Sequence, residues 1–162
     1  MKISLITVTY NSAMTLRDTI ESVLSQSYPN IEYIIVDGQS QDSTLSLIKE
    51  YEPLFKGKLR WISECDKGLY DAMNKGFRMA AGDVIGIINS DDLLAEPTVI
   101  AKVMNVFREH PDADAVYADL YYVAQNDTSR IIRHWISGTQ YSFKYGWHPA
   151  HPTFYVKREV YQ

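Results

Sequence analysis

The chain has 162 residues, of which 46% are hydrophobic and 22% are charged, and this size and composition fit one globular domain. Sixteen Lys and Arg against 20 Asp and Glu give a formal net charge of −4. That balance argues against a general nucleic-acid-binding protein, because such a protein needs a basic surface to neutralise phosphates. The single cysteine, Cys65, excludes an internal disulfide and a cysteine-cluster zinc site, and it fits a reducing compartment.

The first apolar run, residues 3–8, is too short for a signal peptide or for a membrane span. We therefore expect a cytoplasmic protein, and peripheral contact with a membrane stays open. The sequence stops at Gln162, directly after a strand-like segment and a charged run, so we expect the natural protein to be longer.

Apolar strand-like runs alternate along the chain with segments of helical periodicity. The pattern predicts strands at residues 3–8, 31–36, 59–63, 84–88, 115–123, 131–136 and 153–156. It predicts helices at residues 12–26, 44–52 and 69–79, and a fourth that has Pro97 in its first turn and continues through residue 107. The first four strands lack polar alternation, which is typical of strands covered on both faces. The chain is therefore predicted to be an α/β protein with a doubly wound, mostly parallel sheet flanked by helices.

Ligands of such sheets bind beyond the carboxyl ends of the strands, where this chain has polar loops. Thr9, Tyr10 and Asn11 follow the first strand, and neither a G-x-G-x-x-G nor a P-loop motif is present. That absence argues against a dinucleotide oxidoreductase. Tyr10 and Asn11 could contact a planar base, or they could form only a turn and a helix cap. Asp37, after the second strand, could accept hydrogen bonds from a ribose or a base, and Asp42 is expected to cap a helix.

The loop after the third strand leads into a helix whose polar residues share one face. Asp71, Asn74 and Lys75 are three and four residues apart, so they lie side by side on a helix. A polar face at the ligand edge can contact a base or a diphosphate, although a solvated helix face has the same pattern.

Two adjacent carboxylates, Asp91 and Asp92, follow the fourth strand after Asn89 and Ser90. Adjacent carboxylates repel each other unless a cation or a donor compensates, and Mg²⁺ and Mn²⁺ take oxygen ligands that they share with substrate phosphates. A tight Asx turn is the alternative explanation. Polar side chains that could contact a base or a ribose thus follow three strands, and a candidate site for a metal and a diphosphate follows the fourth. The sequence therefore predicts a nucleoside-diphosphate pocket.

These motifs resemble those of the family 2 glycosyltransferases of the GT-A fold. The residues that carry the resemblance are TVTYN at 7–11, VDGQSQDST at 36–44, DKGLYDAMNKG at 66–76, GD at 82–83, NSDD at 89–92 and HPTFY at 151–155. They span essentially the whole chain in order. The likeness is to the bacterial polysaccharide branch, which includes colanic-acid-type transferases.

The resemblance implies a GT-A-type, Rossmann-like sheet, with residues 1–162 forming a nucleotide-sugar-binding domain. It implies a metal-dependent, hexosyltransferase-like enzyme of polysaccharide biosynthesis that inverts the anomeric centre. The expected donor is a UDP-type nucleotide-sugar, and the expected acceptor is a glycan or a lipid-linked molecule. The oligomeric state is not predicted.

Site residues follow from the same resemblance, position by position. The implied donor-binding residues are Thr9, Tyr10, Asn11, Asp37, Ser40, Asp66, Gly68, Asp71, Asn74 and Ser90. Asp91 and Asp92 are the implied ligands of Mn²⁺ or Mg²⁺, and Asn89 stands where a strict D-x-D motif has its first acid. The family's catalytic base has no match in the chain, so we expect it beyond Gln162, with Asp119 and His151 as candidates within the chain.

Two alternatives stay open. A nucleotidyltransferase on a similar sheet would need a glycine-rich amino-terminal loop with a basic residue, and residues 9–12 lack both. The second is a non-catalytic nucleotide- or glycan-binding module, which would explain why the chain has no match to the family's catalytic base.

Overall fold

The computed structural model describes residues 1–139 and 143–161, which form a layered α/β domain around a central sheet. The strands are β1 (Ile3–Thr9), β2 (Ile31–Asp37), β3 (Leu59–Ser63), β4 (Val84–Ile87), β5 (Ala115–Val116), β6 (Leu120–Ala124), β7 (Asp127–Trp135) and β8 (Tyr155–Lys157). The α-helices are α1 (Leu16–Leu24), α2 (Thr44–Tyr51), α3 (Leu69–Met79) and α4 (Val99–Glu109). Short 3₁₀ turns lie at Glu52–Phe55, Phe143–Tyr145, His151–Thr153 and Arg158–Tyr161.

The main sheet has six strands in the order β3-β2-β1-β4-β8-β5, and β1 to β4 are parallel. Thr9 pairs with Asp37, and Asp37 pairs with Ser63, so the first three strands end level with one another. β8 is antiparallel to both β4 and β5, which makes β5 parallel to β4. The loops that follow β1 to β5 therefore all leave the same edge of the sheet.

Helices cover both faces of this sheet, as the apolar strands predict. On one face α1, α2 and α4 pack on β1 and β2, with Ile20, Ile48 and Phe107 among the buried side chains. On the other face Ala72 and Met73 of α3 pack in a second cluster. Burial on both faces explains why β1 and β2 have no exposed position at all.

Two helix starts differ from the sequence prediction, and each has a cause in distant hydrogen bonds. α1 begins at Leu16 and not at Ser12, whose N–H donates to the Thr44 hydroxyl at 2.9 Å. α4 begins at Val99, so Pro97 lies outside the helix and its carbonyl accepts a hydrogen bond from Ser27 at 2.8 Å.

The predicted strand at residues 115–123 is two strands in different sheets. The chain leaves the main sheet after β5 because the Ala118 carbonyl accepts hydrogen bonds from the hydroxyls of Thr153 and Ser137, at 2.7 and 2.8 Å. It then forms a separate antiparallel ribbon of β6 and β7, joined at Gln125 and Asn126. The strand predicted at residues 153–156 begins only at Tyr155, after the 3₁₀ turn at His151–Thr153.

Within residues 1–139 and 143–161, no helix has the length and apolar character that crossing a bilayer requires.

Candidate functional site

Asp37, the last residue of β2, is fully buried and organises the loop that follows it. One of its carboxylate oxygens accepts a hydrogen bond from the Ser40 hydroxyl. The other accepts from the Ser40 N–H at 3.0 Å and from the Ser63 hydroxyl at 2.6 Å. Asp37 therefore fixes the ends of two neighbouring strands, and its predicted contact with a ribose or a base stays a prediction.

Asn11 connects the loop after β1 to the loop after β2. Its φ of +50° lies in the left-handed region, where Asn is better tolerated than most residues. Its N–H donates to the Ser40 hydroxyl at 2.8 Å, and its side-chain oxygen accepts from the Gln41 N–H at 2.8 Å. The backbone N–H and the side-chain oxygen of Asn11 thus join the two loops.

Asp42 closes the far end of the same loop pair. Its carboxylate accepts hydrogen bonds from the Thr44 N–H at 2.9 Å and from the Ala13 N–H at 3.1 Å. Hydrogen bonds from Thr44 lower the pKa of Asp42. The N-cap position of α2 is Ser43, so Asp42 lies one residue before the expected cap and its carboxylate accepts from the first N–H of the helix.

Tyr10, Gly38 and Asp66 come from three different loops and meet at one point. A Cβ atom built on Gly38 would lie 2.7 Å from Asp66 Oδ2 and 3.5 Å from Tyr10 Cδ2, so any larger residue here would require the carboxylate to move. The other oxygen of Asp66 accepts a hydrogen bond from the Gly68 N–H at 2.8 Å. Tyr10 is 62% exposed. An accessible aromatic ring beside a carboxylate is suited to a planar base that carries N–H groups.

The start of α3 holds three further predicted residues. Gly68 has a φ of +114°, which glycine adopts without strain. The Asp71 carboxylate accepts a hydrogen bond from the Lys67 N–H at 3.0 Å, and this bond lowers the pKa of Asp71. Asn74 is exposed on the same helix. The three residues border the loop that carries Asp66.

The loop after β4 forms a tight turn that carries both acids, closed by a backbone bond and a side-chain bond between its first and fourth residues and not by the Asx pattern of the alternative explanation. The Asn89 side-chain amide donates to Asp92 Oδ2 at 2.7 Å, and the Asp92 N–H donates to the Asn89 carbonyl at 3.1 Å. Burial raises the pKa of Asp92, and the negative charge of Asp91 raises it further, while Asn89 and His151 offset part of the rise. Asp91 itself is exposed.

These two acids suit a divalent cation. A half-buried carboxylate whose pKa is raised beside a second carboxylate gains from a positive charge at that point. Across the described ranges, no three His, Cys, Asp or Glu side chains form a ready-made metal site. Mg²⁺ is usually bound by one or two carboxylates while phosphate oxygens and water supply the rest, and Asp91 and Asp92 match that number.

Ser12 and Ser90 connect the first loop to the fourth. Their hydroxyl oxygens lie 3.0 Å apart, which is hydrogen-bonding distance. The loops carrying the predicted base-side residues and the predicted metal ligands are thus in direct contact.

The two candidate bases within the chain also lie at this edge. His151 is exposed in the turn before β8 and is close enough to Asp92 to lower its pKa. Asp119 follows β5, accepts a hydrogen bond from the Ser137 N–H at 2.8 Å and lies 3.3 Å from His134 Nε2. Asp119 is thus tied to the β6–β7 ribbon, and its role as a base stays a prediction.

Several residues that build the site were not predicted from the sequence. They are Ser12, Gly38 and Ser63. Lys75 was predicted as part of the polar face of α3, but its contact with the Cys65 carbonyl could not be predicted, and an isolated serine such as Ser63 gives no signal at all.

Comparisons with known proteins agree with this geometry. Residues 4–160 match the family model described as Glycosyl transferase family 2. A PGL/p-HBAD biosynthesis glycosyltransferase of Mycobacterium bovis is 33% identical over 123 residues, which are 76% of this chain and 48% of that protein. An uncharacterized glycosyltransferase of Mycobacterium tuberculosis is 38% identical over 103 residues, or 63% of this chain and 38% of that protein.

Solved structures show the same architecture. S. aureus TarS 1-349 in complex with UDP-GlcNAc superposes with a TM-score of 0.75 at 20% identity, over 99% of this chain and 46% of that one. A mannosyltransferase from Pyrobaculum calidifontis, in complex with GDP-Man and Mn²⁺, gives a TM-score of 0.67 at 23% identity, over 79% of this chain and 37% of that one. The chain spans about half the length of these relatives. Its sheet is that of the GT-A fold, and the chain belongs to glycosyl transferase family 2.

Proposed function

We propose that this chain forms the donor-binding part of a glycosyltransferase that takes its sugar from a nucleotide-diphosphate sugar, with UDP as the favoured nucleotide. The acceptor is a glycan or a lipid-linked molecule in polysaccharide biosynthesis, and the sugar is transferred with inversion. The reaction belongs to the cytoplasm, with peripheral contact to a membrane where the acceptor is lipid-linked.

One observation carries the proposal: four loops that follow parallel strands are joined into a single polar surface at one sheet edge. Asn11 contacts Ser40 at 2.8 Å, and Ser12 contacts Ser90 at 3.0 Å. Open α/β sheets bind their ligands at this edge. A nucleoside would lie against the exposed Tyr10 ring, and its diphosphate would extend towards the loop after β4.

Asp91 and Asp92 would hold Mn²⁺ or Mg²⁺, since they are adjacent carboxylates and one of them has a raised pKa. The cation, when bound, would neutralise the charge that develops on the leaving diphosphate. The amide of Asn89 keeps Asp92 in place through their hydrogen bond of 2.7 Å. The chain thus provides an oxygen pair and the group that orients it.

The transfer step also needs a base for the acceptor hydroxyl. The acceptor oxygen forms a bond to the anomeric carbon, the bond from that carbon to the diphosphate breaks, and the acceptor proton passes to the base. Asp119 and His151 are the candidates in this chain, and a carboxylate in a longer form of the protein is the third. The relatives with UDP-GlcNAc and with GDP-Man and Mn²⁺ support a nucleotide-sugar donor and a divalent cation.

Isothermal titration calorimetry with UDP, in the presence and absence of Mn²⁺, tests donor binding. We expect Mn²⁺-dependent binding that weakens about ten- to hundredfold in Asp91→Asn, because a charged ligand contact is worth about 1.5–3 kcal/mol. Asp112→Asn is the matched control, since Asp112 is exposed between α4 and β5, at the opposite edge of the sheet. No UDP binding, or equal binding by both variants, would remove the proposal.

Substrate turnover separates an enzyme from a non-catalytic module. We expect the chain with Mn²⁺ to release UDP slowly from a UDP-sugar with water as the acceptor, and Asp91→Asn to abolish that release. Binding of UDP without any release from the UDP-sugars tested would favour the binding module. Release of pyrophosphate from a nucleoside triphosphate and a sugar phosphate would favour the nucleotidyltransferase.

A further inference from the structure

The loop between β3 and α3, residues 64–68, carries Asp66 and Gly68 but has few contacts of its own with the sheet. The Glu64 N–H donates to the Asp37 carbonyl at 3.0 Å, and Asp66 accepts from Gly68 within the loop. Cys65, Asp66 and Gly68 do not lie in a strand or a helix. The Lys67 N–H also donates to Asp71 Oδ2 at 3.0 Å, which ties the helix end of the loop to α3.

Lys75, in the second turn of α3, contacts the β3 end of the loop. Its ammonium donates to the Cys65 carbonyl at 2.7 Å, lies 3.0 Å from Glu64 Oε1 and is 3.8 Å from Asp71 Oδ2. Its side chain is only 12% exposed, which is low for a lysine. Lys75 thus joins the β3 end of the loop, at Glu64 and Cys65, to the helix that follows it.

The ammonium of Lys75 is a stable cation in this setting. Partial burial alone would lower the pKa of Lys75, but the carboxylates of Glu64, Asp71 and Asp66 outweigh that effect and raise it. A charged donor to a backbone carbonyl forms a stronger hydrogen bond than a neutral one.

The other side of this loop faces the loop after β2. Asp66 Oδ2 lies 2.7 Å and Tyr10 Cδ2 lies 3.5 Å from the point that a Cβ on Gly38 would occupy. The carboxylate of Asp66 therefore lies over the β2 loop and on the same side as Tyr10, the proposed base platform.

We propose that Lys75 is a positioning residue for the nucleotide: it holds the β3–α3 loop so that Asp66 is in place before the base binds. This inference rests on the proposed function, since it assigns Lys75 to the nucleoside side of the same site. Ordering the loop in advance reduces the entropy that binding must overcome.

Two measurements on the full chain test the role of Lys75. Lys75→Met should weaken UDP binding about three- to tenfold, and Lys75→Arg, whose guanidinium can still donate, should stay within about threefold of the unchanged chain. A nitroxide label on Cys65, the single cysteine, should become more mobile in Lys75→Met and not in Lys75→Arg. Thermal unfolding of each variant verifies that it is folded.

Lys56→Met is the matched control, because Lys56 is exposed just before β3, at the opposite end of that strand. Both readouts should match those of the unchanged chain. If Lys75→Met bound UDP as tightly as the unchanged chain, the inference would be overturned. It would also be overturned if UDP affinity fell while the mobility of the label stayed the same, since Lys75 would then act without ordering the loop. No UDP binding by the unchanged chain would count against the proposed function instead, and the label would still report whether Lys75 holds the loop.

Discussion

The hydroxyl oxygens of Ser12 and Ser90 lie 3.0 Å apart, although 78 positions separate them in the chain. Ser12 belongs to the loop after β1, which carries Tyr10, and Ser90 directly precedes Asp91. The contact therefore joins the proposed base side of the site to the proposed metal side. It is a single hydrogen bond between two short loops, so it can be removed without disturbing the core.

We expect Ser12→Ala and Ser90→Ala to show coupled effects on the free energy of unfolding, measured with urea. Each single substitution removes the same hydrogen bond. The free energy of unfolding should therefore fall less in the double variant than the sum of the two single losses. The expected coupling is about 0.5–1.5 kcal/mol, the net worth of a typical hydrogen bond.

Ser25→Ala provides the comparison for that cycle. Ser25 lies just after the carboxyl end of α1 and its hydroxyl donates to the Ser22 carbonyl at 2.9 Å. In the double variant of Ser25→Ala and Ser90→Ala, the losses in the free energy of unfolding should be additive. Additivity between Ser12→Ala and Ser90→Ala as well would show that the two hydroxyls do not interact in solution.

Gly38→Ala should destabilise the chain by about 0.5–1.5 kcal/mol, because the new Cβ would lie 2.7 Å from Asp66 Oδ2 and the displaced carboxylate would lose its hydrogen bond from Gly68. The penalty should shrink when the same change is made in an Asp66→Ala background, since the obstructing oxygens are then absent. Urea unfolding of the four proteins in this cycle measures both quantities.

Gly57→Ala separates this overlap from backbone strain. Gly57 has a φ of +83° and no atom within 4 Å of a built Cβ, so its cost arises from the backbone alone. That cost should be the same with and without Asp66. An equal penalty for Gly38→Ala in both backgrounds would mean that Asp66 does not occupy the space above Gly38.

The sheet could be predicted from the sequence because burial on both faces leaves a strong signal. β1 and β2 are mostly apolar and are buried at every position, and β3 and α3 have the bounds that the pattern predicts. The pattern failed where a distant residue decides the boundary. Pro97 could not be placed correctly, since Ser27 from another part of the chain binds its carbonyl.

The site was predictable at the level of loops but not of hydrogen bonds. The strand pattern located Asp37 and Asp91 near strand ends, the family resemblance added Asp66, and the structure brings their loops to one edge. Sequence could not reveal that the carboxylate of Asp37 points into the protein, because its partner Ser63 comes from a neighbouring strand. Such pairings depend on strand order, which a single sequence does not determine.

Glu32 gives the stability of the chain a dependence on acid pH. Burial would raise its pKa, but hydrogen bonds from the Ser4 hydroxyl and the Ala81 N–H, together with Lys2, lower it below the ordinary value of 4.5. Just below pH 4.5 the unfolded chain therefore binds more protons than the folded chain. The contribution of Glu32 to the free energy of unfolding is complete above that pH and is lost as the pH falls through the folded-state pKa.

Glu32→Gln should therefore lower the free energy of unfolding at pH 7 and make its decline below about pH 4.5 shallower. Urea titrations at a series of pH values measure this slope. Glu159→Gln, at an exposed position, should leave the slope as it is. A Glu32→Gln variant with an unchanged slope would show that Glu32 has the same pKa in the folded and unfolded chain.

Asn89→Asp tests the cation site without any nucleotide. The change restores a strict D-x-D motif, but it replaces the amide that donates to Asp92 at 2.7 Å with a third carboxylate. Without metal we expect the midpoint of thermal unfolding to fall by about 2–8 °C, from the loss of the bond and the added repulsion. Saturating Mn²⁺ should restore most of that loss, because a divalent cation offsets two of the three negative charges and so reduces their repulsion.

Asn105→Asp is the matched control, since Asn105 also donates to a carboxylate, Glu109, at 2.7 Å, but on the exposed surface of α4. Asn105→Asp should lower the midpoint of thermal unfolding less than Asn89→Asp does, because a surface pair of carboxylates is screened by water. Mn²⁺ should not raise that midpoint again. Equal responses of the two variants to Mn²⁺ would mean that the loop after β4 has no particular affinity for a cation. A selective response of Asn89→Asp would show that the position next to Asp91 and Asp92 can hold one.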